Sequence, residues 1–157
     1  MKSIDRFTLE THEGPYEKWP LRSRLSIDGQ PTGVTLPGYQ LLCQFEAPDG
    51  YVLVTDYDCP FEEATSFALV SKQLRLKSCR TVGWMYETFI LERIEWQDER
   101  TFIAYIGGGC PWCFTIRSWG IPYIWPRLRR QALFWRAHPD DGEGKPGDIG
   151  PTGQAGR

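Results

Sequence analysis

The stretch that most limits how this chain can fold is residues 89–117, because its apolar side chains recur with a period of two. Trp112, Phe114 and Ile116 share one face of an extended segment, and the run 102–106 repeats the pattern with apolar residues on both faces. A period of two is the signature of a β-strand. The stretch therefore predicts three short strands joined by tight turns, with the middle strand covered on both sides.

Turn residues divide the chain upstream of this stretch into further hairpins. The turns at 28–29, 47–50 and 72–73 each separate two strand-like runs. No helical crossover pattern lies between the strands, so we expect neighbouring strands to pair in antiparallel fashion. The sequence predicts a mainly β, single-domain fold, an antiparallel meander that closes as a small barrel or a sandwich.

The two ends of the folded region are less regular in sequence. Residues 1–38 are rich in Pro and Gly, and we expect an irregular entry segment there. Pro126 suits the first position of a helix. Leu128 and Ala132 have helical spacing, so a short C-terminal helix is predicted for 127–136. A final strand is the competing interpretation of that segment.

Composition changes abruptly beyond Ala137. Glycine occupies every third position from 144 to 156, which resembles the Gly-X-Y repeat of collagen, although five triplets are too few for a stable triple helix. The segment carries too little apolar surface to offset the entropy lost on ordering. We therefore expect one globular domain over 1–136 and a disordered Gly/Pro-rich tail over 137–157.

The charge distribution argues against two classes of partner. The net charge is −2, and the segment 137–157, with four acidic and two basic side chains, accounts for all of it. A domain of balanced charge has no general attraction for nucleic acid or anionic lipid. No apolar run approaches the roughly 18 residues that a membrane span needs. We expect neither nucleic acid nor a membrane as the partner.

The N-terminus and the cysteines indicate the compartment. Charges are spread through the N-terminus, which lacks the apolar stretch of a signal peptide. Five cysteines, an odd number, suit free thiols better than a disulfide framework. We expect a cytoplasmic protein.

One motif has the spacing of a metal or redox site. Cys110 and Cys113 form a C-x-x-C pair beside three glycines, and such pairs serve in redox dithiols and as half of a zinc site. The expected β-turn lacks the helix N-terminus that lowers a thiol pKa, and no second close cysteine pair completes a zinc site. The favoured interpretation is a hairpin turn without a cofactor, and the alternative is zinc at Cys110 and Cys113.

The segment that follows the strand ending at Asp56 is the surface that we expect to bind a partner. The segment sets Tyr57 among four carboxylates: Asp56, Asp58, Glu62 and Glu63. Clustered carboxylates bind a hard cation or act as an acid and base pair, but the spacing here is not that of an EF-hand. Solvated carboxylates that pair with arginines are the structural alternative.

Arg127 and Arg129 begin a basic strip that also contains Trp125 and Phe134. Strips of this composition bind single-stranded nucleic acid, but no nucleic-acid-binding motif accompanies this one. Arginine also packs through its aliphatic stem. We therefore expect packing and ion pairs to the acidic segment, and we include Arg127 and Arg129 in the predicted binding surface.

Catalytic motifs are scarce in this chain. Its two histidines, His12 and His138, lie in the entry segment and at the start of the tail, and neither is expected to be rigidly held. The sequence predicts a non-catalytic binding module, of an accessory or immunity type, whose partner is another protein, with a homodimer as a further option. The alternative is a metal- or thiol-dependent enzyme that uses the Cys110–Cys113 turn or the acidic segment 56–63.

Overall fold

The computed structural model describes residues 1–57, 64–83, 90–107, 110–121 and 126–133. In these residues the chain forms twelve β-strands and one short 3-10 turn, and no helix there is long and apolar enough to cross a membrane. The prediction of a mainly β, antiparallel protein is confirmed. The elements are β1 (Lys2–Ser3), β2 (Phe7–Leu9), the 3-10 turn (Tyr16–Lys18), β3 (Arg22–Ile27), β4 (Gln30–Pro37), β5 (Gln40–Ala47), β6 (Gly50–Asp56), β7 (Thr65–Val70), β8 (Leu76–Val82), β9 (Leu91–Trp96), β10 (Thr101–Ile106), β11 (Cys110–Ile116) and β12 (Leu128–Ala132).

The strands form three antiparallel sheets. The central sheet has the strand order β1-β5-β6-β7-β8, the N-terminal sheet the order β2-β3-β4, and the C-terminal sheet the order β12-β11-β10-β9. Neighbours in each sheet are mostly consecutive in the chain, which is the meander that the turn spacing predicts. None of the three sheets closes on itself within the residues described above.

Strands β6 and β7 are the most enclosed part of the protein. Every residue of β7 is buried, and so is every residue of β6 except Asp56. Because successive side chains point to opposite faces, Val52 and Phe67 join a core with the C-terminal sheet, while Leu53 and Ala68 join a second core with the N-terminal sheet. The near-continuous apolar sequence of these strands is what allows both faces to be buried.

Aromatic rings fill the core beneath the C-terminal sheet. Phe102 and Phe114 stack with their ring centroids 5.0 Å apart, and Phe67 lies 4.2 Å from Phe114. Burying one such ring stabilises the fold by about 1.5–3 kcal/mol. The opposite side chains of β10, Ile103 and Tyr105, are only half-buried. The prediction of a strand covered on both sides is therefore wrong for β10, and β6 and β7 are the strands that have this property.

The entry segment 1–38 is more regular than the sequence predicts. It contains strands β1 to β4. Asp28 and Gly29, with φ of 48° and 77°, form the tight turn between β3 and β4, and this conformation favours Asp and Gly. Leu25 and Leu36 of the hairpin are fully buried against the central sheet. The hairpin gives the central sheet its second cover.

The predicted C-terminal helix is wrong, and the competing strand is correct. β12 pairs with β11 in register from Trp112 opposite Ala132 to Ile116 opposite Leu128. This pairing buries Leu128 completely. Tertiary contacts of this kind outweigh a weak helical pattern. The predicted disordered tail, 137–157, lies outside the described residues.

Candidate functional site

A cleft of about 750 Å³ opens along the outer edge of β8. Its walls come from β8 in the central sheet, from the β11–β12 connection at 118–120 and 126–127, and from the start of β3. No carboxylate is present among the described residues that line it. Four cationic side chains do line it: Arg22, Lys77, Arg80 and Arg127. We call this feature the basic cleft.

Hydrogen bonds hold two of these cations in place without neutralising them. Arg22 donates from Nε to Thr35 Oγ1 at 3.0 Å and from Nη2 to the Thr35 carbonyl at 2.6 Å. Arg80 donates from Nε to the Leu128 carbonyl at 3.3 Å. Within the described part of the chain, no carboxylate pairs with Arg22, Lys77 or Arg80. Neutral acceptors thus fix the two guanidinium groups and leave their charges uncompensated.

Among the residues that the structure describes, Arg127 is the one cation of the basic cleft that has a charged partner. Its Nη2 lies 3.7 Å from Asp49 Oδ1, and its Nε donates to the Arg117 carbonyl at 3.2 Å. Asp49 also binds Arg100, so that two arginines share one carboxylate. Arg127 therefore has only a shared carboxylate to compensate its charge.

Neighbouring titratable groups respond to this positive charge. Burial raises the pKa of the Cys79 thiol, and the nearby Arg22 and Arg80 oppose the shift. Burial lowers the pKa of Arg130, and repulsion from Arg80 lowers it further. Repulsion between like charges destabilises the protein without a ligand, and a bound anion relieves it. The basic cleft is therefore electrostatically suited to a negatively charged ligand.

Apolar surface borders the charges of the basic cleft. Trp119 is 66% exposed and Leu76 is 37% exposed, and both belong to the lining. Tryptophan and arginine are the side chains that most often dominate the binding energy of protein interfaces. Charge and apolar contact area are thus present together in one place, as a protein-binding surface requires.

The structure describes only part of the predicted acidic surface. Three of its carboxylates lie outside the described residues: Asp58, Glu62 and Glu63. Asp56 ends β6 half-buried, and its carbonyl accepts a hydrogen bond from the Tyr39 amide at 2.7 Å. Tyr57 donates from its hydroxyl to the Leu21 carbonyl at 3.3 Å. The two described residues of this segment are therefore held by hydrogen bonds to Tyr39 and Leu21, which flank the N-terminal hairpin.

The predicted ion pair between the acidic segment and Arg127 stays a prediction, because three of the four carboxylates of that segment lie outside the described residues. Arg127 contacts Asp49, which lies at the other end of β6 from Asp56, about 23 Å away along an extended chain. Arg129 is exposed on β12. In the described residues, no contact joins Asp56 or Tyr57 to either arginine. Of the predicted binding residues, only Arg127 belongs to the basic cleft.

Cys110 and Cys113 lie in an extended strand and not in the predicted turn. Both positions belong to β11, where they pair with Ile106 and Ile103 of β10. Three steps along a strand separate the Cα atoms by about 10 Å, whereas a disulfide needs Cα atoms within about 7 Å. The backbone over 110–113 also lacks the turn that brings a C-x-x-C pair to one zinc ion.

The other described cysteines are not activated thiols. Burial raises the pKa of Cys43 and of Cys79, which reduces the thiolate fraction at neutral pH. Among the residues that the structure describes, no group of three or more His, Cys, Asp or Glu is placed to hold a metal ion. The zinc alternative gains no ligand set from this part of the chain.

His12 and Ser23 form a contact that resembles half of a catalytic triad. His12 Nε2 lies 2.8 Å from Ser23 Oγ, and Ser23 Oγ donates to the Gly38 carbonyl at 2.6 Å. Because the serine uses its one proton on Gly38, His12 must be the donor in the first contact. Ser23 is also fully buried and cannot reach a substrate. The contact fixes His12, which the sequence analysis expects to be loosely held.

An aromatic cluster fastens the segment 10–21 to the end of the central sheet. Four rings pack edge to face around Tyr39, with centroid distances from 5.1 to 5.7 Å: His12, Tyr16, Trp19 and Tyr57. Pairs of this geometry each contribute about 0.5–1.5 kcal/mol. Because Tyr39 fills the space between the other rings, the cluster is a packing device and not an open cage for a cation.

Three of the four cations of the basic cleft were not predicted from the sequence. Arg22 belongs to β3 of the N-terminal sheet, whereas Lys77 and Arg80 belong to β8 of the central sheet, and each resembles an ordinary solvated residue in its own strand. The one local signal is β8 itself, where charged residues replace the near-continuous apolar sequence of β6 and β7. Only the meeting of two sheets and the β11–β12 connection at one edge makes these residues a site.

Comparisons with models of known protein families, with curated proteins and with solved structures find no match to this chain. Its function is therefore inferred from its own residues. The basic cleft is the described feature in which position, charge and exposure agree on a kind of ligand.

Proposed function

We propose that this protein is a non-catalytic binding module of the cytoplasm, and that its basic cleft binds an acidic segment of another protein. The observation that carries the proposal is the convergence of four cationic side chains, from two sheets and the β11–β12 connection, on a cleft with no carboxylate in its described lining. Charge complementarity of this kind selects the partner and speeds association. An accessory or immunity-type role is consistent with such binding.

An acidic protein segment suits the basic cleft better than a nucleic acid does. Residues 1–136 carry balanced charge, and the uncompensated cations are concentrated in one place. A duplex presents a charge about every 1.7 Å and needs a long basic surface. A short acidic peptide needs charge compensation at only a few points. Trp119 and Leu76 then supply the apolar contacts.

We also propose that the three sheets form a layered sandwich with the central sheet in the middle. Two separate clusters of buried residues, one on each face of the central sheet, support this arrangement. The basic cleft then lies where the three layers end along β8. This position explains how Arg22 and Arg127, from the two outer layers, reach the same cleft.

A metal- or thiol-dependent enzyme is the alternative, and it has less support. The extended backbone over 110–113 counts against it. Metal analysis of the purified protein addresses this alternative. Stoichiometric zinc would favour a site that includes Cys110 and Cys113.

Fluorescence anisotropy with a fluorescein-labelled peptide of repeating Glu-Glu-Thr-Thr, which places Glu on both faces of an extended chain, tests the proposed function. We expect the full-length protein to bind this peptide, and binding to weaken as salt is added, because salt screens interactions between exposed charges. A peptide with Lys in place of Glu should not bind. Equal binding of the two peptides would overturn the proposal.

A double variant in the basic cleft and a control variant outside it test where the peptide binds. Combining Arg22→Gln with Lys77→Gln should weaken peptide binding by about tenfold or more, which corresponds to about 1.4 kcal/mol. Arg24→Gln is the matched control, because Arg24 is two residues along the same strand, its side chain is 80% exposed, and it is not part of the lining. Wild-type affinity in the double variant would contradict the assignment of the site.

A further inference from the structure

We infer that the acidic segment binds as an added strand on the edge of β8 and so extends the central sheet. This inference rests on the proposed function and adds the mode of recognition to it. Within the described residues, β8 pairs only with β7 and is the last strand of its sheet. A strand at the edge of a sheet presents backbone N–H and C=O groups that an extended peptide can pair with.

The basic cleft follows the backbone of β8 and not one of its faces. Five consecutive residues, 76–80, line it. Successive side chains of a strand point to opposite faces. Accordingly, Cys79 packs against the N-terminal core, while Arg80 reaches the Leu128 carbonyl in the C-terminal sheet. A cleft that both faces border must lie along the edge between them. Just beyond residues 76–80 the Thr81 carbonyl accepts a hydrogen bond from Arg130 Nη1, so the backbone groups open to a peptide are those of 76–80.

Three of the other described edge strands, β1, β4 and β9, are less suited to an acidic peptide. On β9, Arg93 already pairs with Glu95 at 2.8 Å and lies over the Tyr105 ring at 3.6 Å, so its charge is compensated. β1 has only two residues, and β4 contains two prolines, which lack the N–H that a ladder needs. Of these edges, β8 combines uncompensated positive charge with a cleft.

The sequence of β8 also selects against a second copy of the same strand. Lys77 has no partner in β7, because Leu69 pairs with Ser78 and Val70 with Leu76, so Lys77 is the extra residue of a β-bulge. Bulges and lysines at edges prevent strands from pairing with their own kind. Two positively charged edges repel each other, whereas an acidic strand is attracted. The edge is therefore selective for an acidic partner.

The placement of the cations predicts the pattern of the ligand. Arg22 belongs to the N-terminal sheet, and Arg80 is anchored to the C-terminal sheet, so positive charge lies on both sides of the β8 edge. Five residues of strand span about 17 Å. We therefore expect an extended segment of about this length with acidic side chains on both of its faces.

Backbone methylation of the peptide tests the strand pairing. An added strand pairs with β8 through the amides of only one of its edges, which are every second amide of the peptide. Two peptides are therefore compared, one methylated at the odd-numbered and one at the even-numbered amide nitrogens. One of them should bind about tenfold or more weaker than the unmethylated peptide, and the other should lose much less affinity. Similar affinity for both methylated peptides would refute strand addition while leaving the proposed function intact. Failure of the unmethylated peptide to bind would refute both. Tighter binding of an oligothymidylate than of the peptide would also refute both.

Amide hydrogen exchange of the full-length protein gives a second readout. Addition of the unmethylated peptide should slow exchange at alternate amides of β8 by about tenfold or more, because those N–H groups become hydrogen-bonded. The amides of β9, an edge strand of the C-terminal sheet, serve as the internal control and should not change. Unchanged exchange in β8 with peptide bound would overturn the inference.

Discussion

Strands β7 and β8 are neighbours in the same sheet, yet their surroundings are opposite. All six residues of β7 are buried, whereas Val82 is the one fully buried residue of β8. A core covers each face of β7. β8 borders the basic cleft, where Lys77 and Arg80 have no carboxylate partner within the described residues.

This difference separates the part of the sheet that holds the fold together from the part that is available for binding. Apolar side chains on β7 leave water on folding, and their burial is the main source of stability. Cations gathered along β8 repel one another, which costs stability unless a ligand compensates them. Substitution of a residue on β7 should therefore lower the free energy of unfolding, and substitution of a residue on β8 should lower the affinity for the ligand.

The largest expected effect comes from replacing a ring on β7. Phe67→Ala removes a fully buried side chain that packs against Phe102 and Phe114, so we expect a loss of about 3–5 kcal/mol in the free energy of unfolding. Leu76→Ala on β8 is the matched control, and because Leu76 is 37% exposed its loss should stay below about 1 kcal/mol. Urea unfolding measures both, and equal losses would contradict the comparison.

An intermediate effect is expected where the central sheet meets the N-terminal hairpin. Gly38 has φ of 96°, and a Cβ there would contact the carbonyl group of Asp56, whose carbon lies 2.9 Å away. Gly29 has a φ of 77°, and a Cβ built on Gly29 would have no atom within 4 Å. Gly29→Ala should cost about 1–2 kcal/mol from backbone strain alone. Gly38→Ala should cost about 1–3 kcal/mol more, because it adds the clash.

Urea unfolding of the two alanine variants checks this difference directly. Both substitutions impose a positive φ on alanine, so the difference between their unfolding free energies isolates the contact with Asp56. Equal costs would mean that the end of β6 moves away from position 38. The tight packing of the central sheet would then not extend to Asp56.

Much of the fold was predictable because it depends on local pattern. The turns at 28–29 and 47–50 are encoded by residues that favour tight turns, and the structure has hairpins at both. The apolar runs of β6 and β7 are typical of strands, yet sequence alone did not show that both faces are covered. That property depends on how the N-terminal hairpin packs against the central sheet, which is a contact between distant segments that the hairpin's own sequence does not show.

The failures of prediction have a common physical origin in contacts between distant segments. The apolar spacing of residues 128 and 132 suits a helix, but hydrogen bonding to β11 stabilises this segment more and makes it a strand. Cys110 and Cys113 were assigned to a turn because glycines precede them, but β11 begins at Cys110. The basic cleft needs residues 22, 77, 80 and 127 together, and no local pattern contains them.

The smallest expected effect concerns an arginine whose charge is compensated, in contrast to Arg22. Arg6 donates from Nε to both carboxylate oxygens of Asp28, at 3.2 and 3.1 Å. These hydrogen bonds, together with the charge of Arg6, hold the pKa of Asp28 below its ordinary value of 3.8, although partial burial opposes the shift. Because the pKa is lowered in the folded protein, the pair stabilises the fold above pH 3.8, and this contribution is lost as the pH falls through the lowered pKa.

Replacing Arg6 tests whether an arginine paired with a carboxylate differs in solution from one that is not, such as Arg22. In Arg6→Ala the pKa of Asp28 should return towards 3.8, and stability should fall less steeply with pH below that value, because the carboxylate has lost its donor. Titration of the carboxyl carbon by NMR measures the pKa, with Glu95, whose pKa is lowered by Arg93, as the group that should not change. An unmoved Asp28 pKa would mean that Arg6 is not paired in solution. The distinction between the compensated Arg6 and the uncompensated Arg22 would then disappear.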